Sequence, residues 1–135
     1  MAADLEVIHA YRHLYRGLLH AVQFSKPARY VAREKLRTAF REKGAKFDIR
    51  GVARTIRFLD AATRERGLEH SVLKNILTMS YFRDYYKRMD WKRIHGDQAN
   101  PRRMTEFEQH MQNIAYKHYD MTIAMLNKSV GLCLR

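Results

Sequence analysis

Two histidines, His9 and His13, have the spacing that places metal ligands one turn apart on a helix. A metal site needs further ligands, and the sequence offers no HExxH pattern and no neighbouring cysteine or carboxylate pair to supply them. Cys133 is the only cysteine of the chain, which excludes an intramolecular disulfide and a cysteine-based metal cluster. We therefore expect solvated surface histidines and no metal site.

The sequence also lacks the motifs that mark common catalytic centres. It contains no Gly-x-Gly-x-x-Gly fingerprint, Walker loop, nucleophile elbow or deaminase signature. Polar residues are plentiful, but none of them pairs a nucleophile with a base at the spacing of a known motif. We therefore predict that the protein is not an enzyme and binds no cofactor directly.

Arginines spaced four residues apart indicate a different chemistry. They follow one side of a predicted helix and comprise Arg29, Arg33, Arg37 and Arg41. Like charges at this spacing repel by about 0.2–0.5 kcal/mol per pair, and Glu34 and Glu42 relieve only part of this repulsion. Such a face commonly meets an anion, although a solvated face of a basic protein is the alternative. The net charge of +12 predicts an acidic partner: nucleic acid, an acidic protein or an anionic membrane surface.

The spacing of apolar residues predicts an all-α fold with helices over about 3–23, 26–43, 49–66, 68–92 and 101–130. No segment has strand periodicity, and no apolar run approaches the roughly 18 residues needed to cross a bilayer. The expected boundaries are Ser25, Asp48 and Asn100 as N-caps, Pro27 and Pro101 in first turns, and Gly44 and Gly67 as stops. We expect one domain overall, with a helical bundle over 1–95 and a loop and long C-terminal helix over 96–135.

The faces of these helices differ in character. The first helix should bury Tyr15 and turn a polar side outward, formed by His9, His13, Arg16 and His20. The fourth helix ends in an aromatic stretch that should be covered in part by the last helix or by a partner. The last helix has a heptad-like seam that could close the bundle or bind a partner helix: Met104, Phe107, Met111, Ile114, His118, Met121 and Met125.

Leu14-Tyr15-Arg16 lies in the first predicted helix, and the arginine-rich second helix ends in Phe40-Arg41. With these residues together, the chain resembles the LYR-motif family of small mitochondrial adaptors that bind acyl carrier protein. The resemblance covers roughly residues 5–80. It implies a three-helix bundle, extended here by a fourth helix and a long C-terminal helix. It also implies a location in the mitochondrial matrix, although Asp4 and Glu6 are atypical of a cleavable presequence.

The resemblance further implies how the carrier is bound. Its acidic helix would meet the first two helices at Leu14, Tyr15, Arg16, Phe40 and Arg41, together with the basic face of Arg33 and Arg37. The acyl chain would arrive on the carrier's own 4′-phosphopantetheine and enter the core of the adaptor. We expect the core residues around it to be Leu18, Leu19, Val52, Ile56 and Leu59.

Family members serve several larger assemblies, and the strong basicity favours the mitochondrial ribosomal large subunit during its biogenesis, with rRNA as one contact. A respiratory-complex subunit or assembly factor, or an adaptor in iron–sulfur transfer, is the alternative. A basic helical RNA-binding protein without a carrier is the rival from another class. We expect docking on the assembly through Arg50, Arg54, Arg57, Met104, Phe107 and Met111.

Overall fold

The computed structural model describes residues 2–96 and 105–134, and the side chains of residues 4–85 and 105–134. The described residues form five α-helices and no strand, which confirms the predicted all-α class and the order of the helices. The helices are α1 (Ala2–Ala21), α2 (Ala28–Arg41), α3 (Ile49–Arg64), α4 (Leu68–Gly96) and α5 (Glu106–Val130).

The core is built mainly from α1 to α4. α1 packs against α2 and α3, and α4 packs against α3 and α2. The largest fully buried side chain is Leu59, which is 1% exposed and lies in one cluster with Leu14, Leu36, Leu73 and Leu77. Burial of such side chains contributes roughly 1.5–3 kcal/mol each, so this cluster is the main source of stability.

α1 approaches α3 closely because Gly17 has no side chain. A Cβ atom built on Gly17 would lie 3.2 Å from Cδ1 of Leu59, closer than ordinary van der Waals contact. A larger residue at this position would therefore push α1 away from α3. The residues on either side of Gly17 owe their orientation to this crossing.

The turn between α1 and α2 differs from the prediction. Ser25 was expected to cap α2, but its hydroxyl instead donates a hydrogen bond of 2.7 Å to the carbonyl of Val22, at the end of α1. Gln23 and Phe24 have φ angles of 53° and 56°, which turn the chain back toward α1 and end it at Ala21 rather than at 23. Pro27 then precedes the first residue of α2 and supplies no side-chain cap.

The other predicted boundaries are correct to within a few residues, apart from the start of α5. Asp48 caps α3 as predicted, since its carboxylate accepts a 3.0 Å hydrogen bond from the N–H of Arg50. α2 ends at Arg41 because Glu42 is extended, so Gly44 lies in the following loop, and α3 ends at Arg64 rather than at 66. α4 continues to Gly96 instead of ending near 92.

α5 begins with a capping box that the sequence analysis missed. The hydroxyl of Thr105 accepts from the N–H of Glu108 at 3.2 Å, and the Glu108 carboxylate accepts from the N–H of Thr105 at 3.0 Å. Thr105 was predicted to lie inside the last helix, whereas these reciprocal bonds make it the N-cap. The predicted start at Asn100 and Pro101 lies outside the described residues.

A polar contact joins α5 to α4 through Arg83. One guanidinium nitrogen of Arg83 donates to the carboxylate of Asp120 at 2.9 Å and to the carbonyl of Tyr116 at 3.1 Å. The same guanidinium lies 4.4 Å from the centre of the Tyr116 ring. Tyr81, Phe82 and Tyr85, the aromatic residues of this part of α4 whose side chains are described, nevertheless remain 39%, 43% and 44% exposed.

The methionine seam of α5 does not close the bundle. Phe107, Met111, Met121 and Met125 are 70%, 51%, 53% and 70% exposed. The inner side of α5 instead includes Ile123 and Leu126, which pack against a small second cluster. Of the two roles left open for the seam, the structure excludes closure of the bundle; the side chain of Met104 lies outside the described residues.

A short tail segment, residues 131–134, follows α5 and returns to the bundle. Gly131 adopts the left-handed conformation (φ 71°) and ends the helix. Leu132 and Leu134 are then 7% and 8% exposed and pack with Ile76 of α4. The tail segment therefore joins α5 to the bundle by apolar contact.

We expect Leu59→Ala to lower the free energy of unfolding by about 2–5 kcal/mol, because it leaves a cavity where α1, α3 and α4 meet. Leu68→Ala is the matched control, since Leu68 is 77% exposed and its truncation should change little. Urea unfolding followed by far-UV circular dichroism measures both. Equal effects of the two substitutions would contradict the core described above.

Candidate partner-binding site

The Leu14-Tyr15-Arg16 tripeptide presents three different environments. Leu14 is buried at 6% exposure, Tyr15 is half-buried against the core, and Arg16 is exposed. A helix advances by about 100° per residue, so consecutive residues point in different directions. The predicted outward side of α1 is also observed, because His9, His13 and His20 are exposed together with Arg16.

An aromatic cluster joins α1 to the end of α2. The rings of Tyr11 and Tyr15 stack at 6.2 Å between centroids, and the Phe40 ring meets Tyr11 edge-on at 5.3 Å. Aromatic pairs of this geometry contribute about 0.5–1.5 kcal/mol beyond the area that they bury. The structure thus brings Phe40 to the helical face that carries Tyr15. Tyr11 was missed as a site residue, although its position four residues before Tyr15 was a signal.

The arginines of α2 are only partly neutralised. Glu34 accepts from Nη1 of Arg37 at 3.2 Å, and the same oxygen lies 3.5 Å from Nε of Arg33. One exposed carboxylate is thus shared by two arginines. Arg41 is exposed and, like Arg16, makes no ion pair with the described residues. Arg16 of α1 and Arg37 and Arg41 of α2 therefore leave an excess of positive charge on the two helices that form the aromatic cluster.

The arginines in the first half of α2 also contact an aromatic ring. The guanidinium groups of Arg29 and Arg33 lie 4.7 and 5.6 Å from the centre of the Tyr30 ring. Arg29 also donates to the Tyr30 hydroxyl at 2.8 Å. These contacts hold the arginine side chains along the helix, so the four-arginine run is not one uniform free face.

The predicted acyl-chain residues belong, with one exception, to the core cluster. Leu59 lies in its centre, and Leu18, Val52 and Ile56 pack against it, whereas Leu19 is half-buried outside it. A cavity of about 80 Å³ is lined by Leu18 and Leu59 of this set, but not by Leu19, Val52 or Ile56. Its walls come from α1, α2, α3 and α4, and the tail segment closes it with Cys133 and Leu134.

The predicted docking residues fall on two helices. Arg50, Arg54 and Arg57 are exposed on α3, and Phe107 and Met111 are exposed on α5. Arg54 packs against Gly131, where a side chain would collide with its guanidinium. The remaining member, Met104, has a side chain outside the described part of the chain.

A titratable residue that the sequence analysis missed, Lys35, lies between the cavity and the α4–α5 contact. Burial lowers the pKa of its ammonium group, and the nearby charge of Arg83 lowers it further. Asp120 and Asp84 act in the opposite direction. The sequence showed only one more basic residue on α2, because the contacts that bury Lys35 come from distant helices.

Two other kinds of site have no counterpart among the described residues. None of their His, Cys, Asp and Glu residues form a group of three or more that could hold a metal ion. None of the helices, over the same residues, combines the length and apolar character needed to cross a membrane.

Comparison with known proteins gives a partial match. The chain is 36% identical over 77 residues to the UPF0593 mitochondrial protein C806.05 of Schizosaccharomyces pombe. The match covers 55% of this chain and 62% of the relative, so the chain spans less than two thirds of the relative's length. No family model and no solved structure matches the chain. The similarity is thus to a protein named as mitochondrial, and the LYR-motif resemblance is carried by the residues quoted above.

We expect Lys35→Met to stabilise the protein at neutral pH, because Lys35 is half-buried and its charged form is disfavoured there. With its pKa lowered in the folded state, Lys35 binds its proton more weakly than in the unfolded chain. The free energy of unfolding of the wild type should therefore increase as the pH rises from the folded-state pKa of Lys35 toward 10.5, the ordinary pKa of a lysine.

The advantage of Lys35→Met should accordingly shrink between neutral pH and pH of about 10 in urea unfolding. Comparison with the wild type at each pH cancels the titration of tyrosines and Cys133, which both proteins share. Lys74→Met is the control, since Lys74 is exposed. A stability difference that stays constant with pH would contradict the assignment.

Proposed function

We propose that the protein is a non-enzymatic adaptor of the mitochondrial matrix that binds acylated acyl carrier protein through α1 and α2. The observation that carries the proposal is the aromatic cluster of Tyr11, Tyr15 and Phe40, which unites the two parts of the LYR-like pattern on one surface. The relative, which is named as a mitochondrial protein, supports a mitochondrial location.

The charge around the aromatic cluster suits an acidic protein surface. Arginine presents a planar fork of donors that matches carboxylate and phosphate groups. The pairs of Glu34 with Arg33 and Arg37 are exposed, and exposed pairs contribute only about 0–1 kcal/mol. An acidic helix of the carrier can therefore displace Glu34 at little cost and engage these arginines together with Arg16 and Arg41.

The acyl chain provides the second part of the interaction. The carrier supplies it on its own 4′-phosphopantetheine, so the adaptor needs no cofactor. Each buried methylene contributes roughly 0.8 kcal/mol, and the chain would lie among Leu18, Leu19, Val52, Ile56 and Leu59. The cavity beside Leu59 supports a site in this part of the bundle.

The remaining exposed surfaces would dock on a larger assembly, and we propose the mitochondrial ribosomal large subunit during its biogenesis. Arg50, Arg54 and Arg57 provide a basic face for rRNA, while Phe107 and Met111 provide an apolar face for protein; Met104 belongs to the same proposed docking set. An accessory or assembly role in a respiratory complex, or in iron–sulfur transfer, is the alternative within this proposal.

A basic RNA-binding protein without a carrier is the second candidate. Tyr81, Phe82 and Tyr85 favour it, because exposed aromatic rings beside basic residues can stack on unpaired bases. The two candidates differ in what the basic surfaces of α1 and α2 bind.

Removal of positive charge from the basic surfaces of α1 and α2 should release the carrier. We expect the tagged wild-type protein, purified from mitochondria, to bring down a small acidic protein whose intact mass includes phosphopantetheine and a fatty acyl group. An Arg16→Ala/Arg37→Glu variant should lose that protein by at least tenfold. Arg64→Ala/Arg66→Glu is the matched control, since both residues are exposed at the end of α3 and beyond. Recovery of RNA or ribosomal proteins with no carrier would overturn the proposal.

Salt dependence separates the two candidates by a second route. RNA affinity should fall steeply with salt, with a log–log slope of about −0.7 for each phosphate contact of a single strand. Carrier binding should keep a salt-resistant part, because burial of an acyl chain is not screened by ions. Titration of acylated carrier and of single-stranded RNA at several salt concentrations measures both slopes. A carrier affinity that disappears at high salt would argue against acyl burial.

A further inference from the structure

The tail segment enters the bundle beside the core cavity. Two side-chain anchors hold its backbone there. The N–H of Cys133 donates to the hydroxyl of Thr55 at 3.0 Å, and the N–H of Leu134 donates to the side-chain oxygen of Asn127 at 2.8 Å. The Asn127 amide also donates to the carbonyl of Leu134. Thr55 is itself buried at 5% exposure, so this anchor lies on the buried face of α3 rather than on its solvent-exposed face.

The cavity is too small for a fatty chain while the tail segment is bound. Its volume is about 80 Å³, about half that of an engineered apolar cavity of about 150 Å³ that binds a molecule as small as benzene. Every other residue along its wall belongs to one of the four bundle helices, but Cys133 and Leu134 belong to no helix. The space for an acyl chain is therefore most readily made by displacement of the tail segment.

We infer that the tail segment and an acyl chain compete for the same site in the core of the bundle. This inference rests on the proposed function and concerns the regulation of that site. When no acyl chain is present, Leu134 lines the site and Leu132 packs beside it in the second cluster, so that together they shield the core from water. A dodecanoyl chain contains more carbon atoms than these two side chains together, so the exchange increases apolar burial.

Displacement of the tail segment also changes how α5 is held. In the described residues, α5 meets the bundle through the polar contacts of Arg83 and through the apolar cluster around Leu132 and Leu134. Loss of the second contact frees the end of α5 that carries Met121 and Met125. Acyl binding in the core is thereby coupled to the exposed apolar seam of α5.

Gly51 offers a way to lock the tail segment in place. A Cβ built on Gly51 would lie 2.5 Å from Sγ of Cys133 and 2.7 Å from a carboxylate oxygen of Asp48, so both side chains must shift for Gly51→Cys to place a second thiol beside the single natural cysteine. Oxidation should join the two and hold the tail segment over the core. Gly51→Cys/Cys133→Ser is the matched control, because it carries the same change in α3 and cannot form the bond.

The probe is a dodecyl-pantetheine thioether, which resists cleavage by the reductant. Oxidised Gly51→Cys, with the disulfide verified by intact mass, should bind it at least tenfold more weakly than the reduced protein. The control should bind it equally in both conditions. Leu132→Ser/Leu134→Ser in the full chain should bind it at least threefold more tightly than wild type. Equal affinity in the oxidised and reduced states would overturn the inference.

The Leu132→Ser/Leu134→Ser variant decides the question if the disulfide does not form or the Gly51 variants do not fold. Affinity for the probe equal to that of the wild type would then overturn the inference. Acylated carrier, tested in parallel, separates this inference from the proposed function. If carrier binding does not depend on whether the tail segment is locked, competition is rejected and the adaptor proposal stands. If probe binding depends on the tail segment but no carrier binds, the adaptor proposal is rejected and competition stands.

Discussion

The crossing of α1 and α3 at Gly17 and Leu59 is the contact on which the rest of the structure depends. Because a Cβ at Gly17 would lie 3.2 Å from Leu59, a larger residue at that position would require the Leu59 side chain or the helices to shift by a few tenths of an ångström. The crossing fixes the rotation of α1 about its own axis. That rotation buries Leu14, sets Tyr15 against the core and turns Arg16 outward, so the geometry of the tripeptide follows from packing one turn away.

Periodicity explains what could be predicted from the sequence. Local rules of spacing and capping act within a few residues, and they correctly gave the five helices, the Asp48 cap and the outward face of α1. The missed Thr105 cap and the wrong Ser25 cap were local errors, whereas the wrong inner face of α5 involves contacts between distant residues. Arg83 meets Asp120 across 37 positions, and Cys133 meets Thr55 across 78. A heptad-like pattern identified an apolar seam on α5, but these distant contacts decide that another side of the helix faces the bundle.

The same distinction applies to the candidate site. The charges and the Leu-Tyr-Arg and Phe-Arg patterns were visible in the sequence, since each lies within one helix. The contact of Phe40 with Tyr11 was not, because it depends on how α2 packs on α1. The burial of Lys35 likewise arises from α4 and α5. Residue types thus predicted the chemistry of the site, whereas packing determined which residues share it.

The exposed apolar face of α5 carries an unfavourable free energy of hydration that no contact among the described residues offsets. Phe107 and Met125 are each 70% exposed, while the buried side of the same helix is small and partly polar. A capping box nevertheless begins the helix and a left-handed glycine ends it. These two caps stabilise a long helix independently of the bundle. A helix stabilised at its ends, with its larger apolar face in water, is suited to bury that face against another protein.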